Sequence, residues 1–217
     1  DIKDFAYQLN DKTYFKKQKN FNSSLVSNLS NEDLIKIAAE RGCDISTPGK
    51  INPLDPILWK DSAEDEPKWQ TNFGTGRPGW HIQCISLAQK YLDLPIDIQG
   101  GGSDLIYPHH SMCDEITKIT KNTDFAEIYC HVGMVSYEGS KMSKSKGNLV
   151  FVHQLIDQGI DPNVIRLMLI SKPWHQEWEF LFTEIEQYRI KYNKLKIFSN
   201  KFIDVKALEN ILEIVLK

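Results

Sequence analysis

Residues 95–104, with the sequence Pro-Ile-Asp-Ile-Gln-Gly-Gly-Gly-Ser-Asp, decide the fold of this chain. The first five residues alternate in polarity as a strand does, and the three glycines that follow are typical of a tight turn. A helix is predicted to begin near Pro108, and a second buried strand is predicted over residues 128–136. A strand, a glycine-rich turn, a helix and a further strand in succession predict an α/β layer with a parallel sheet.

The segment before this layer divides into parts of different composition. Residues 79–92 predict an amphipathic helix, because apolar and weakly polar side chains recur at three- and four-residue steps. Residues 47–78 are rich in proline and glycine, which favours irregular structure around a connection. Earlier still, Ser30 is a predicted N-cap and Gly42 marks the predicted end of a helix.

The segment after the layer is predicted to be helical. Asp161 followed by Pro162 indicates an N-cap with proline at the first helical position. Residues 183–186, Thr-Glu-Ile-Glu, fit a capping box. Apolar stripes over residues 185–198 and 208–215 then predict long helices of a bundle.

The composition of the 217 residues is that of a globular protein. Apolar residues make up 41%, charged residues 25% and aromatic residues 11%, which excludes a disordered tail, a collagen and a low-complexity array. The net charge of −3 restricts any nucleic-acid contact to a local patch. The sequence shows no secretory signal and no apolar run of the roughly 18 residues that a transmembrane helix needs. We therefore expect a cytoplasmic protein without membrane contact.

Four cysteines in a chain of this length do not predict a disulfide scaffold. In a reducing compartment, clustered cysteine and histidine are more often metal ligands or catalytic groups. Cys84, His109 and Cys113 are residue types that zinc prefers, and the last two share one face if they lie on a helix. The residues alone leave open that each cysteine is a small buried apolar side chain.

Residues 141–148, Lys-Met-Ser-Lys-Ser-Lys-Gly-Asn, form a lysine loop with three lysines and no acidic residue. Lysine ammonium groups suit polyphosphate oxygens. The loop is thus suited to close over a triphosphate and to stabilise the charge on a leaving pyrophosphate. Charge alone leaves an ordinary solvated hairpin open as the alternative.

Four motifs together resemble the cysteinyl-tRNA synthetase family. The string Lys-Met-Ser-Lys-Ser at residues 141–145 resembles the signature loop of class I aminoacyl-tRNA synthetases. Three further motifs agree with the cysteinyl family in order and spacing: Gly-Arg-Pro-Gly-Trp-His-Ile-Gln-Cys at 76–84, Gly-Gly-Gly-Ser-Asp-Leu at 100–105 and Pro-His-His at 108–110. The resemblance covers most of residues 52–180.

The resemblance implies part of a class I Rossmann-like nucleotide-binding domain with a connective insertion, followed by helices of a bundle. The implied parts are the connective insertion (1–75), the second half of the catalytic domain with the zinc site and the lysine loop (76–150), a segment similar to the stem-contact region (151–182) and the start of a helical tRNA-binding domain (183–217). The family's His-x-Gly-His-type motif, its N-terminal zinc-binding cysteine and most of the anticodon-binding region are not found in this sequence. The chain is therefore interpreted as a fragment that alone lacks half of the active site.

For function, the resemblance implies a cysteine–tRNA ligase. It would use ATP, with Mg²⁺, to activate L-cysteine to cysteinyl-adenylate, and would then transfer the cysteinyl group to tRNA(Cys). The enzyme is expected to be a monomer. The implied site residues are Lys144 on the phosphates with Lys141 in support, Gly101, Gly102 and Asp104 for ATP, Trp80 and His81 for the amino acid, and His110 and His131 near the adenylate.

The resemblance also implies one zinc ion per subunit. Two of the family's ligands, a cysteine and the first histidine of Pro-His-His, fall on Cys84 and His109. A third, a glutamate four residues after that histidine, falls on Cys113. A thiolate is a zinc ligand with the same charge, so we rank this cysteine above the neighbouring Asp114 and Glu115. Zinc favours the thiolate of cysteine over the hydroxyl of serine, so the ion would select the substrate.

Two other functions remain open. The first is the mycothiol-pathway ligase, which resembles this family and activates cysteine for an amino-sugar. That enzyme would lack the tRNA-binding helices after Lys172, where this chain has an amphipathic segment, and it belongs to GC-rich bacteria, which the lysine-rich composition does not favour. The second is a non-catalytic zinc-binding module, which the missing motif favours.

Overall fold

The computed structural model describes residues 2–18, 23–144 and 146–202. The chain divides into two compact units, Asp1–His131 and Val132–Lys217. The functional boundaries expected after residues 75, 150 and 182 do not follow this division and stay predictions. The predicted apolar stripe over residues 208–215, and Ser145 of the lysine loop, lie outside the described residues.

An antiparallel sheet forms the beginning of the first unit. The elements there are α1 (Ile2–Phe5), β1 (Ala6–Leu9), β2 (Lys12–Phe15), α2 (Asn31–Glu40), β3 (Ile57–Lys60), β4 (Trp69–Thr71) and β5 (Gly74–Pro78). The five strands pair in the order β1-β2-β3-β5-β4, each antiparallel to its neighbour. The Tyr14 hydroxyl of β2 donates to Asp44 at 2.8 Å, which ties the sheet to the segment that follows α2.

The prediction of irregular structure over residues 47–78 is wrong, because three of the five strands lie there. Gly76 in this segment, and Gly79 directly after it, permit close contact with strand β3 instead. A Cβ on Gly76 would lie 2.3 Å from the carbonyl oxygen of Lys60, and one on Gly79 would lie 1.9 Å from that of Ile57. Only glycine fits where two backbones approach this closely.

Helix α2 begins and ends as the sequence predicts. Ser30 and Asp33 form a reciprocal capping box at its start. Gly42 follows its end with a φ of +76°, the left-handed conformation that favours glycine. Leu34 and Ala38 are buried in a core that places this helix against the turn that precedes the fourth helix.

The α/β layer follows, and the predicted parallel pairing is confirmed. Its elements are α3 (Trp80–Tyr91), β6 (Ile96–Gly102), α4 (Ser111–Lys121) and β7 (Ala126–Val132). Strands β6 and β7 pair in parallel: the Ile96 N–H donates to the Phe125 carbonyl at 3.1 Å, and Gly100, further along β6, lies beside the Cys130 carbonyl. Two tight turns, Ser103–Leu105 and Ile106–His110, connect β6 to α4.

The second unit combines a small sheet with three helices. Its elements are β8 (Val135–Tyr137), β9 (Ser140–Lys141), α5 (Val152–Asp157), α6 (Pro162–Ile170), β10 (Trp178–Glu179) and α7 (Phe182–Phe202). Strand β8 pairs with β10 in parallel and with β9 antiparallel. The strand predicted over residues 128–136 is thus interrupted after β7, and its last two residues belong to β8.

Helices α6 and α7 pack together around a shared core that includes Val164, Met168 and Tyr188. The predicted N-cap at Asp161 is confirmed, since its side chain accepts from the Asn163 N–H at 2.8 Å. The predicted cap at Thr183 is wrong, because α7 already begins at Phe182. No helix among the described residues is long and apolar enough to cross a membrane.

Candidate functional site

Three buried side chains form the centre of the site. His81, His109 and Cys113 each direct one ligand atom toward the others, and these atoms lie within 4.8 Å of one another. His81 is the second residue of α3, His109 lies in the turn before α4, and Cys113 is in the first turn of α4. The starts of two packed helices therefore assemble what we call the donor cluster.

The geometry of the donor cluster suits a tetrahedral ion. The Nδ1 atoms of His81 and His109 lie 3.0 Å apart, and the Cys113 thiol donates to the His81 carbonyl at 3.7 Å. Two nitrogens bound to one zinc ion at 2.0–2.1 Å lie roughly 3.3 Å apart, so a shift of a few tenths of an ångström would admit it. Two histidines and one cysteine are also a donor set that zinc prefers.

Burial controls the protonation of the donor cluster. Desolvation, and then the neighbouring His109, lowers the pKa of His81 to about 3, and burial also lowers the pKa of His109. Both rings are neutral at pH 7, which is the form that binds metal. Burial, with Cys84 and Asp114, raises the pKa of the Cys113 thiol, so the thiolate forms there only beside a cation.

The predicted ligand Cys84 is not a member of this group. Its side chain is half-buried against the core between α3 and α4, and burial raises the pKa of its thiol. His109 and Cys113 therefore belong both to the predicted ligand set and to the observed cluster, whereas His81 was predicted only to line the amino-acid pocket. The zinc assignment stays a prediction, with His81 as a donor that the sequence did not single out.

Trp80 covers one side of the cluster. Its ring stacks on His109 with a centroid separation of 4.0 Å and an interplanar angle of 13°, and 54% of the residue is exposed. A tryptophan with one face on a buried histidine and the other in solvent forms a wall for a bound molecule. This position agrees with the pocket role implied by the resemblance, which stays a prediction.

The carboxylates of Asp114 and Glu115, ranked below Cys113 as metal ligands, are bound to other residues. Asp114 accepts from the Ser23 hydroxyl at 2.7 Å. Glu115 pairs with Lys17, and both side chains are nearly fully buried. Of the three successive candidates on α4, the structure therefore brings only Cys113 to His109.

A second pair of histidines lies beside the cluster. His110 Nδ1 and His131 Nε2 are 2.8 Å apart, and the Gln99 amide nitrogen lies 3.1 Å from His110 Nε2. Since an amide nitrogen donates, His110 Nε2 accepts, and its Nδ1 proton is directed at His131. Burial, followed by the nearby His131 and His109, lowers the pKa of His110 to about 4, and burial lowers that of His131. Gln99 was missed, although its place before the glycines was visible in the sequence.

The glycine-rich turn lies at the carboxyl end of β6. A Cβ on Gly101 would lie 2.8 Å from the His110 ring, so a side chain is excluded there. Gly102 precedes a short turn in which Asp104 pairs with Arg41 at 3.5 Å. Arg41 follows α2 and was not singled out by the sequence, because only the folded chain brings it to the turn.

The lysine loop belongs to the second unit. Asn148 organises it: its Oδ1 accepts from the Ser143 N–H at 2.9 Å, and its amide donates to the Ser140 hydroxyl at 3.1 Å and to the Lys141 carbonyl at 3.2 Å. The side chains of Lys141 and Lys144 are exposed. Their roles on the phosphates stay predictions.

Comparison with known proteins agrees with this architecture. The family described as "tRNA synthetases class I (C) catalytic domain" matches residues 2–190. An L-cysteine:1D-myo-inositol 2-amino-2-deoxy-alpha-D-glucopyranoside ligase of Streptomyces avermitilis is 45% identical over 184 residues, which cover 84% of this chain and 45% of the relative. The ligase of that name from Acidothermus cellulolyticus is 43% identical over 175 residues, covering 81% of this chain and 43% of the relative.

Among solved structures, methionyl-tRNA synthetase of Mycobacterium tuberculosis bound by methionyl-adenylate has a TM-score of 0.48 and 13% sequence identity. The match covers 85% of this chain and 41% of that one.

The chain spans less than half the length of the two ligases. Both relatives carry the name of the cysteine ligase for an amino-sugar rather than that of cysteinyl-tRNA synthetase. The match over residues 2–190 shows that the chain belongs to the family of class I (C) tRNA synthetase catalytic domains.

Proposed function

We propose that the full-length protein is an ATP-dependent cysteine ligase whose acceptor is 1D-myo-inositol 2-amino-2-deoxy-α-D-glucopyranoside. The names of the relatives, at 43% and 45% identity, support the amino-sugar as acceptor. The acceptor expected from the sequence, tRNA(Cys), becomes the second candidate. Activation of cysteine by ATP is common to both.

The observation that carries the proposal is the buried donor cluster with Trp80 stacked against it. A zinc ion held by His109 and Cys113, with His81 or Cys84 completing the set, would supply an electrophilic site for a thiolate. A zinc ion that is held by histidine nitrogen and cysteine sulfur would bind a soft thiolate in preference to a hydroxyl. The cluster therefore supports cysteine as the amino acid, and a zinc ion held there would reject serine without editing.

The first step is adenylate formation. A carboxylate oxygen of cysteine attacks the α-phosphorus of ATP, the bond to the bridging oxygen breaks, and pyrophosphate leaves with Mg²⁺. Gly101 and Gly102 let the nucleotide approach the backbone, and Asp104 accepts a hydrogen bond from a ribose hydroxyl or from the substrate amino group. Lys144, supported by Lys141, stabilises the charge on the leaving pyrophosphate.

The second step is transfer to the acceptor. The amine nitrogen attacks the carbonyl carbon of the adenylate, a C–N bond forms, and the bond from that carbon to the phosphate oxygen breaks. AMP leaves with the electron pair, and the amine loses a proton to solvent. Positioning of the two reactants supplies a large part of the rate acceleration that a protein gives such a step.

One observation favours tRNA(Cys) as the second candidate. Helix α7 continues beyond residue 190, where the family match ends, and its continuation carries the exposed cations Lys191, Lys194 and Lys196. Exposed lysines suit contact with a phosphate backbone. The start of α7 lies within the matched family, so a helix after Lys172 does not by itself distinguish the two acceptors.

Two assays on the full-length protein test the proposal. Cysteine-dependent exchange of pyrophosphate into ATP measures activation, and its absence would favour the non-catalytic zinc-binding module instead. Release of AMP is then measured with the amino-sugar and with tRNA(Cys) as competing acceptors. We expect AMP release with the amino-sugar, and release with tRNA(Cys) alone would overturn the proposed acceptor.

A further inference from the structure

A cavity of about 230 Å³ lies beside the candidate site, within the first unit. One wall is formed by the end of α2 and the segment that leads to β3. The other is formed by Trp80 and His81 at the start of α3 and by the turn that contains Tyr107. One water occupies roughly 30 Å³, so this space accommodates a small molecule beside the donor cluster.

The cavity wall carries a balanced set of charges. Arg41 and Lys60 supply two cations, and Asp44 and Asp55 supply two carboxylates. The remaining lining residues are mostly apolar and include Leu54. An apolar cavity with a few convergent polar groups is the usual form of a small-molecule site.

The two carboxylates are held in place before any ligand arrives. Asp44 accepts from the Tyr14 hydroxyl at 2.8 Å and from the Thr47 hydroxyl at 2.7 Å. Although burial opposes it, hydrogen bonding from Thr47 and Tyr14 lowers the pKa of Asp44 to about 2.

Asp55 is fixed in a similar way. It accepts from the Tyr7 hydroxyl and from the Lys17 N–H, each at 2.8 Å. A carboxylate has about four lone-pair sites. Among the described residues, Oδ1 of Asp55 accepts only the bond from Lys17, so it can accept another from a ligand hydroxyl.

We propose that this cavity is the acceptor subsite and that it takes a small uncharged or cationic polyol, the amino-sugar of the proposed function on which this inference rests. Hydroxyl groups can accept from Arg41 and Lys60 and donate to Asp55. A molecule held there lies against Trp80 and His81, next to the donor cluster.

The charge balance selects against a nucleic-acid acceptor. A subsite for the end of an RNA strand would be lined by cations that neutralise phosphates. Asp55 and Asp44, which also pairs with Lys12 at 3.3 Å, offset the two cations, so the lining itself offers a polyanion no net positive charge, whereas a sugar needs none. The cavity therefore favours the amino-sugar over tRNA(Cys).

The test compares Lys60→Met with Lys68→Met in the full-length protein. Lys60, at the end of β3, lines the cavity. Lys68 is exposed in the segment between β3 and β4 and is not among the lining residues. Loss of a charged hydrogen-bond donor should raise the KM for the amino-sugar about tenfold in Lys60→Met. Lys68→Met should leave that KM unchanged, and pyrophosphate exchange should be unchanged in both variants.

A binding measurement accompanies the kinetics. Cys43 also lines the cavity, so the amino-sugar should slow its alkylation by iodoacetamide, with Cys43→Ala as the control for labelling at the other cysteines. An unchanged KM in Lys60→Met, or an unprotected Cys43, would overturn the subsite while exchange and transfer to the amino-sugar stay intact. Failure of the proposed function would differ, because exchange or transfer to the amino-sugar would then be absent in the unmodified protein.

Discussion

The donor cluster and the lysine loop, which lie in different units, are built in opposite ways. His81, His109 and Cys113 are buried, and burial keeps their rings neutral and their thiol protonated. Lys144 is exposed, and Asn148 holds the backbone around it and the Ser140 hydroxyl. Changes in the cluster should therefore alter what is bound, and changes in the loop should alter how fast it reacts.

The largest expected effect is on the loop. Lys144→Ala should lower cysteine-dependent pyrophosphate exchange by about 10²- to 10³-fold, because a charged donor aimed at a developing negative charge is removed. Cysteine affinity should change little. Lys146→Ala, which removes another lysine of the loop, is the control, and an exchange rate unaffected by Lys144→Ala would exclude the role.

The next effect concerns the pH dependence of cysteine binding. If the substrate binds as a metal-bound thiolate, binding releases a proton. Affinity should then rise about tenfold per pH unit below the free thiol pKa of about 8.5 and level off above it. Calorimetric titration across pH, with serine as the control ligand, measures this directly. A flat profile for cysteine would mean that the thiol binds without deprotonation.

A smaller effect should follow from removing the wall of the cluster. Trp80→Ala should weaken cysteine and serine binding alike, by about three- to tenfold, since an aromatic contact of this kind contributes about 0.5–1.5 kcal/mol. The preference for cysteine should remain, because it depends on the donor atoms. Trp174→Ala is the matched control, being similarly exposed in the second unit. A Trp80→Ala variant that no longer distinguishes the two amino acids would assign selection to the pocket wall.

The smallest effect tests the framework of the loop. Asn148→Ala removes three hydrogen bonds to the loop backbone and Ser140 and should slow pyrophosphate exchange about fivefold. Asn148→Asp keeps the acceptor for the Ser143 N–H and loses the donors. Its exchange rate should therefore lie between that of the unmodified protein and that of Asn148→Ala. Equal rates in all three proteins would show that Lys144 acts without this support.

The parts of the fold that were predictable depend on local sequence. The glycines after β6, the capping box at Ser30 and the cap at Asp161 each act within a few residues, so their effect is visible in the chain itself. The same holds for His109 and Cys113, whose four-residue spacing predicts side chains on one face, although His109 lies in the turn before α4. Strands β3, β4 and β5 were missed because each is short and is formed by pairing across a glycine-rich segment.

The parts of the site that were not predictable depend on tertiary contact. His81 reaches His109 across 28 residues because α3 packs on α4. Arg41 reaches Asp104 because α2 packs against the turn before α4. No periodicity or composition in one segment encodes either contact. The motif strings identified the region of the site, and the fold determined which atoms meet there.

The measurement that tests the central claim most directly is the zinc content of the full-length protein after dialysis against a chelator. The unmodified protein should keep close to one zinc per chain, and Cys113→Ala should lose most of it. Cys130→Ala, which removes a thiol of β7 outside the donor cluster, should keep it. Parallel loss in His81→Ala or in Cys84→Ala identifies the third donor. Full zinc retention in Cys113→Ala would contradict the assignment of this buried cluster as the metal site.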